Sequence, residues 1–250
     1  MKNNNGFTLI ELSVVILVIA LVAGGVVAGK SFIASAKVLS VVSEVGEFRT
    51  AVSSFFDKYK SKPGDMSDAY DYFAKGDNSV CGNDNSSATG CNGDDDGAYG
   101  YSNGERLKAW KHLSLSGFLS GSYTGVKYSG TIYGKTNVNV PLSPFDGVGY
   151  MFDWSVSGVY SGFLPATDYL LLGHDDADGL LHTSSIDPVN AQLIDSKLDD
   201  GYAYTGTTVA VDGKSVTGCI LVPASSTSDY NLSINENRCV MYFYLNEASM

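Results

Sequence analysis

The chain opens with an apolar block that has no counterpart later in the sequence. Between Phe7 and Ala28 the only ionisable side chain is Glu11, and about 20 apolar residues in helical form are enough to span a lipid bilayer. From Lys30 to Tyr59 apolar residues recur every three or four positions, and no proline interrupts them. This pattern predicts one helix from Phe7 to about Lys60 that is apolar all round in its first half and amphipathic in its second half.

After this block the pattern predicts shorter helices separated by turns. The long helix is expected to end at the turn Lys62-Pro63-Gly64-Asp65. Residues 67–73 and 104–119 have helical spacing, and Trp110 is the expected core anchor that packs on the long helix. A third short helix is expected near residues 188–198, where Asp187 suits the N-cap and a proline follows it.

Beyond Gly121 the pattern shifts toward strands. Short aromatic or β-branched runs lie between glycine and proline turns, which is typical of strands in a small sheet. The predicted strands are residues 126–133, 149–155, 168–172 and 240–245. Helices followed by strands in this order predict an α+β domain.

Four cysteines predict two disulfides. Cys81 and Cys91 lie ten residues apart in a polar, glycine-rich loop over residues 75–103, and Cys219 and Cys239 bracket a second polar loop. In a chain exported past a membrane helix, four cysteines favour disulfides over metal thiolates. Of the three possible pairings, Cys81–Cys91 and Cys219–Cys239 are favoured because each closes a local loop.

One acidic motif suggests a cation site. Asn92-Gly93-Asp94-Asp95-Asp96-Gly97 places oxygen ligands at alternating positions before a glycine, as in the first half of a calcium loop. Asn92, Asp94 and Asp96 are therefore candidate Ca²⁺ ligands, although a solvated acidic turn explains the motif as well. The loop position that should hold a bidentate glutamate is Asn103, and Glu105 comes two residues late. Residues 174–179 are a weaker version of the same pattern.

Charge and motifs exclude several functional classes. The formal net charge is −11, which argues against nonspecific nucleic-acid binding because phosphates are neutralised by clustered basic residues. None of the three histidines lies in a catalytic motif, and His112 is expected to be a helix-face residue and not a general base. The sequence therefore does not indicate an enzyme.

The amino-terminal residues Gly6-Phe7-Thr8-Leu9-Ile10-Glu11 resemble the processing site of type IV prepilins and of the related pseudopilins of type II secretion systems. The resemblance implies cleavage after Gly6 by a prepilin peptidase, methylation of the new amino terminus at Phe7, and retention of the apolar helix. It also implies that the Glu11 carboxylate meets the terminal amine of a neighbouring subunit. Such a pair fixes the axial register, because a misplaced subunit leaves two charges unpaired in an apolar setting.

The same resemblance implies a domain plan and a fold. Residues 1–6 are the leader, 7–29 the transmembrane and polymerisation half of the stalk helix, 30–60 its amphipathic half, and 61–250 a soluble head. The implied fold is pilin-like α+β, with the long helix packed on a carboxy-terminal antiparallel sheet. The Cys219–Cys239 bridge would resemble the carboxy-terminal disulfide-bonded loop of type IV pilins.

Two functional hypotheses follow from the resemblance. In the first, the chain is a structural subunit of a type IV pilus-like or secretion pseudopilus filament, and its partners are other pilins, the prepilin peptidase and an inner-membrane assembly platform. In the second, it is a low-abundance minor pilin that acts as a binding module on the filament. Both place the protein first in the inner membrane and then in a periplasmic or cell-surface filament.

Overall fold

A computed structural model describes residues 8–74, 90–100, 104–128, 134–154, 167–174, 180–221 and 229–245. Its dominant element is helix α1, Leu9–Tyr59, which is uninterrupted over 51 residues, or about 75 Å at the usual rise per residue. Thr8 is its N-cap, and Lys60 ends it in a left-handed conformation with its N–H bonded to the Phe56 carbonyl. The predicted single long helix is thus confirmed over the described residues.

Four strands form one antiparallel sheet. They are β1 (Val148–Trp154), β2 (Asp168–His174), β3 (Thr208–Asp212) and β4 (Cys239–Tyr244), in the spatial order β1-β2-β4-β3. The predictions at 149–155, 168–172 and 240–245 are confirmed, whereas β3 was not predicted. The prediction at 126–133 is wrong for residues 126–128, which are not in a strand, and its remainder lies outside the described residues.

Three shorter helices complete the described part of the head. They are α2 (Ala69–Phe73), α3 (Glu105–Leu115) and α4 (Pro188–Leu198). The predicted cap of α4 is confirmed, because an Asp187 carboxylate oxygen accepts a hydrogen bond from Asn190 N at 3.0 Å. Helix α3 ends at Leu115, earlier than predicted, since Gly117 adopts a left-handed conformation (φ 79°) that breaks the helix.

The core lies where the second half of α1 meets α3 and the sheet. One face of α1 is buried from Val38 to Phe55. The Trp110 ring is fully buried and lies 5.0 Å from the Phe48 ring of α1 and 4.3 Å from the Phe152 ring of β1. The prediction that Trp110 anchors α3 on the long helix is therefore confirmed, and the chain has the predicted pilin-like α+β layout.

Polar contacts also fasten the sheet to α1. The Tyr150 hydroxyl of β1 donates to Glu44 Oε2 at 2.6 Å, and Arg49 Nε donates to the Tyr244 carbonyl of β4 at 2.9 Å. Both α1 residues are partly buried. The second half of α1 is therefore a structural element of the head.

The predicted carboxy-terminal disulfide is confirmed. Cys219 and Cys239 are bonded across 20 residues of sequence, with their Cα atoms 4.9 Å apart. Cys91 is also disulfide-bonded, but its predicted partner Cys81 lies outside the described residues. The bridge at Cys239 attaches the loop that precedes β4 directly to the sheet.

Candidate functional site

The amino-terminal half of α1 is a bare apolar surface. Its large side chains are exposed on every side of the helix, from Leu9 (88% exposed) to Ile33 (57% exposed), and the first buried residue is Val38. Among the described residues, α1 is the one helix long and apolar enough to cross a membrane, judged by length and composition. Gly6 and Phe7, the predicted processing residues, lie outside the described residues.

Glu11 is held by a capping box at the start of this surface. Its Oε2 accepts hydrogen bonds from the backbone N and the hydroxyl of Thr8, both at 2.8 Å, while Thr8 Oγ1 accepts from Glu11 N at 3.3 Å. This reciprocal arrangement satisfies donors that a helix start otherwise leaves unpaired. Thr8 was missed as a functional residue, although its Thr-x-x-Glu spacing is a recognised capping signal.

The predicted acidic site is a cluster of four carboxylates from three segments. Asp65 follows α1, Asp94 and Asp96 belong to the acidic loop, and Glu105 begins α3; their carboxylate oxygens lie within 4.8 Å of one another. The first and last are buried, and the two loop carboxylates are exposed. Asn92, the third predicted ligand, lies in the same loop, and its side-chain oxygen accepts from Tyr70 N at 2.7 Å.

Backbone donors position the two buried carboxylates. Asp65 accepts from Asp96 N at 3.1 Å and from Gly97 N at 3.0 Å. Glu105 accepts from Asp94 N at 3.1 Å and from Gly100 N at 2.6 Å. The loop is therefore folded around these two side chains, neither of which the sequence analysis had assigned as a ligand.

Close backbone approach makes this arrangement possible. A side chain at Gly93 would overlap the backbone of Asp65. His112 bridges the same two segments, since its Nδ1 accepts from Gly64 N at 2.9 Å and its Nε2 lies 3.0 Å from the Cys91 carbonyl. Burial lowers the pKa of His112 to about 4, so this neutral imidazole has a structural role.

The electrostatics of the cluster follow from burial. The pKa of Glu105 is raised to about 7, chiefly by burial and also by nearby Asp94 and Asp65, against the effect of its backbone donors. Burial also raises the pKa of Asp65. Lys108, whose Nζ donates to the Asn92 carbonyl at 2.6 Å, has its pKa lowered by burial to about 8. Hard oxygen ligands with excess negative charge are the donor set that Ca²⁺ prefers.

Calcium binding stays a prediction, and the four carboxylates make it testable. We expect Ca²⁺ at 100 times its dissociation constant to stabilise the full-length protein by about 2.7 kcal/mol, measured by denaturant unfolding in detergent with CaCl₂ or EDTA. Asp96→Asn should remove most of this gain. Asp95→Asn is the matched control, because Asp95 is an exposed neighbour outside the cluster. If Ca²⁺ stabilised the Asp96→Asn and Asp95→Asn variants equally, the stabilisation would come from general charge screening and not from a site.

Comparison with known proteins identifies the first segment only. Residues 1–27 match the family model described as the prokaryotic N-terminal methylation motif. No curated protein and no solved structure matches the chain. The motif and the apolar helix together fit a precursor anchored in the inner membrane. The chain thus begins with the prepilin-type signature shared by type IV pilins and pseudopilins, and this signature is followed by a pilin-like α+β layout.

Proposed function

We propose that this protein is a structural subunit of a type IV pilus-like or type II secretion pseudopilus filament. A prepilin peptidase cleaves it after Gly6, and an inner-membrane platform assembles it through α1. The observation that carries this proposal is the exposed apolar half of α1 with the single carboxylate of Glu11, on a helix whose other half belongs to the head. Such a surface needs either lipid or copies of itself around it.

The position of Glu11 explains why copies are preferred to lipid. A carboxylate in a membrane helix costs about 2.5–3.5 kcal/mol on insertion scales, and less near the interface. In the single chain, the capping box supplies only the neutral donors of Thr8. The methylated amine of a neighbouring Phe7 would supply a positive charge, and charge-assisted hydrogen bonds are roughly twice as strong as neutral ones. Exchange of Thr8 for this amine therefore favours the assembled state.

The chemistry of the head supports a location outside the cytoplasm. The Cys219–Cys239 disulfide suits an oxidising compartment such as the periplasm or the cell surface. The chain's net negative charge lies beyond α1, because α1 itself carries acidic and basic residues in equal number. This highly charged head remains soluble while α1 is buried in the filament.

A second candidate function is that of a low-abundance minor pilin that binds a partner. The observation that favours it is a pair of exposed apolar residues within the disulfide loop, Leu221 (60% exposed) and Leu232 (48% exposed). Quantitative mass spectrometry of sheared filaments separates the two functions. A principal component supports the structural subunit, and a few copies per filament supports the binding module.

Processing provides the direct test of the proposed function. We expect Gly6→Leu to leave the leader attached, because the added side chain obstructs the peptidase at the cleaved bond, and intact-protein mass measures this directly. Asn3→Leu places the same side chain elsewhere in the leader, away from the cleaved bond, and should be processed normally. A wild-type protein that retains residues 1–6 in its native host would refute the proposal.

A further inference from the structure

A buried carboxylate joins α4 to the disulfide-bonded loop. Asp195 is fully buried, and its Oδ2 accepts a hydrogen bond from the Tyr230 hydroxyl at 2.7 Å. Its Oδ1 accepts from Gly201 N at 3.3 Å. Tyr230 is also buried, and it belongs to the segment between Cys219 and Cys239. This side-chain contact is a polar connection between α4 and that segment.

Two further carboxylates surround Asp195. Oxygens of Asp195, Asp199 and Asp200 lie within 4.8 Å of one another. Asp199 accepts from the backbone N of Thr207 and, at 3.0 Å, of Thr208, while Asp200 accepts from Tyr202 N at 2.8 Å and from the Thr205 hydroxyl at 2.5 Å. All these donors are neutral. Ionisation of Asp195 therefore places a third negative charge in a group that no cation balances within the described part of the chain.

The other elements packed on α4 place no cation in ion-pair contact with Asp195 among the described residues. They are α1, β3 and β4. The Arg49 guanidinium of α1 donates to the Tyr244 carbonyl, Glu44 of α1 accepts from Tyr150, and Asp212 of β3 accepts from Gly218 N and Cys219 N. On α4 itself Lys197 is exposed. The pKa of Asp195 is raised to about 7, chiefly by burial and then by the charges of Asp200 and Asp199. The hydrogen bonds from Tyr230 and Gly201 act against this rise.

We propose that Asp195 and Tyr230 form a pH-sensitive clasp that holds the Tyr230 segment of the carboxy-terminal disulfide loop on α4 in acidic medium and releases it as the pH rises to neutral. Burial keeps the pKa of Tyr230 well above its ordinary value, so the phenol remains a donor and Asp195 is the group that titrates. The attached form binds this proton more tightly than the released form. The clasp is therefore strongest below about pH 4, the ordinary pKa of aspartate, weakens as the pH rises through 7, and changes little above it.

Hydrogen exchange of the full-length protein in detergent with EDTA tests the clasp at pH 5 and pH 8, after correction for intrinsic exchange rates. We expect the peptide that covers 229–234 to lose protection at least tenfold, roughly one pK unit of linkage, at the higher pH. The α3 peptide, 105–115, should keep its protection and thereby report a folded head. Asp195→Asn should show equal protection at both pH values, because the amide can still accept from Gly201 N and donate to the Tyr230 oxygen.

Two variants complete the design. Asp200→Asn removes a neighbouring charge but keeps Asp195, so the loss at pH 8 should persist. Tyr230→Phe removes the hydroxyl and should lower protection at pH 5 toward the wild-type value at pH 8. Equal protection of wild-type 229–234 at both pH values overturns the proposal whatever the variants show. A loss in Asp195→Asn as large as in the wild type overturns it as well.

Discussion

Glu11→Ala is expected to give a processed, membrane-held protein that enters filaments at least about 100-fold less often than the wild type. The estimate follows from the cost of removing one partner of a buried ion pair, about 3–5 kcal/mol. The measurement is the ratio of this protein in the sheared filament fraction to that in the membrane fraction. The mass of the mature amino terminus must be determined in parallel, because failed cleavage would lower the same ratio for another reason.

Three further variants separate charge from helix capping. Glu11→Gln keeps an acceptor for Thr8 N but removes the charge, so it should assemble as poorly as Glu11→Ala. Thr8→Ala removes the capping hydroxyl but keeps the charge, so it should retain most assembly. Glu47→Gln removes an exposed carboxylate from the second half of the same helix and should behave as the wild type. Normal assembly of Glu11→Gln would show that charge pairing does not drive polymerisation.

Trp110→Ala is expected to lower the free energy of unfolding of the head by about 3–5 kcal/mol, which is typical of a large aromatic removed from a core. The ring lies fully buried between α1 and β1 and contacts Phe48, Phe152 and Tyr123. Its removal leaves a cavity at the junction of helix and sheet. Denaturant unfolding of the full-length protein in detergent, followed by tyrosine absorbance, measures the change.

Trp154→Ala is the matched control, since Trp154 is 42% exposed at the end of β1. It should cost about 1 kcal/mol, near the centre of the distribution for single mutations. Trp110→Phe should cost less than Trp110→Ala, because the phenyl ring fills much of the cavity that alanine leaves. Both changes remove the indole Nε1, which is buried with no hydrogen-bond partner among the described residues. Equal costs for Trp110→Ala and Trp154→Ala would show that α3 does not anchor the stalk.

Local signals in the sequence were sufficient to predict the long helix, one disulfide and one helix cap. Helix α1 was predictable because an unbroken apolar run continues into an amphipathic one, and Lys60 ends it just before the predicted turn. Cys219–Cys239 was predictable because the two residues close one loop before the last strand. Asp187 was recognisable as an N-cap from the proline that follows it. In each case the deciding contacts lie close together in the chain.

The features that the sequence did not predict depend on contacts between residues that are distant in sequence. Strand β3 has only five residues and includes Ala210, which has low strand propensity; its place is set by pairing with β4. Asp65 and Asp94 are far apart in sequence and meet only because the acidic loop folds back onto the turn after α1. In the sequence Asp195 resembles an ordinary polar helix residue. Its burial and its contact with Tyr230 are visible only in the structure.

The way in which α1 joins the head determines how the protein carries mechanical load. Between Val38 and Phe55 the helix is packed into the core, and Glu44 and Arg49 are bonded to two different strands of the sheet, β1 and β4. Tension along the helix axis therefore acts on these contacts in shear, so many of them must fail together before the head detaches. Tension applied to the head is therefore transmitted along α1 to the amino-terminal half of the helix.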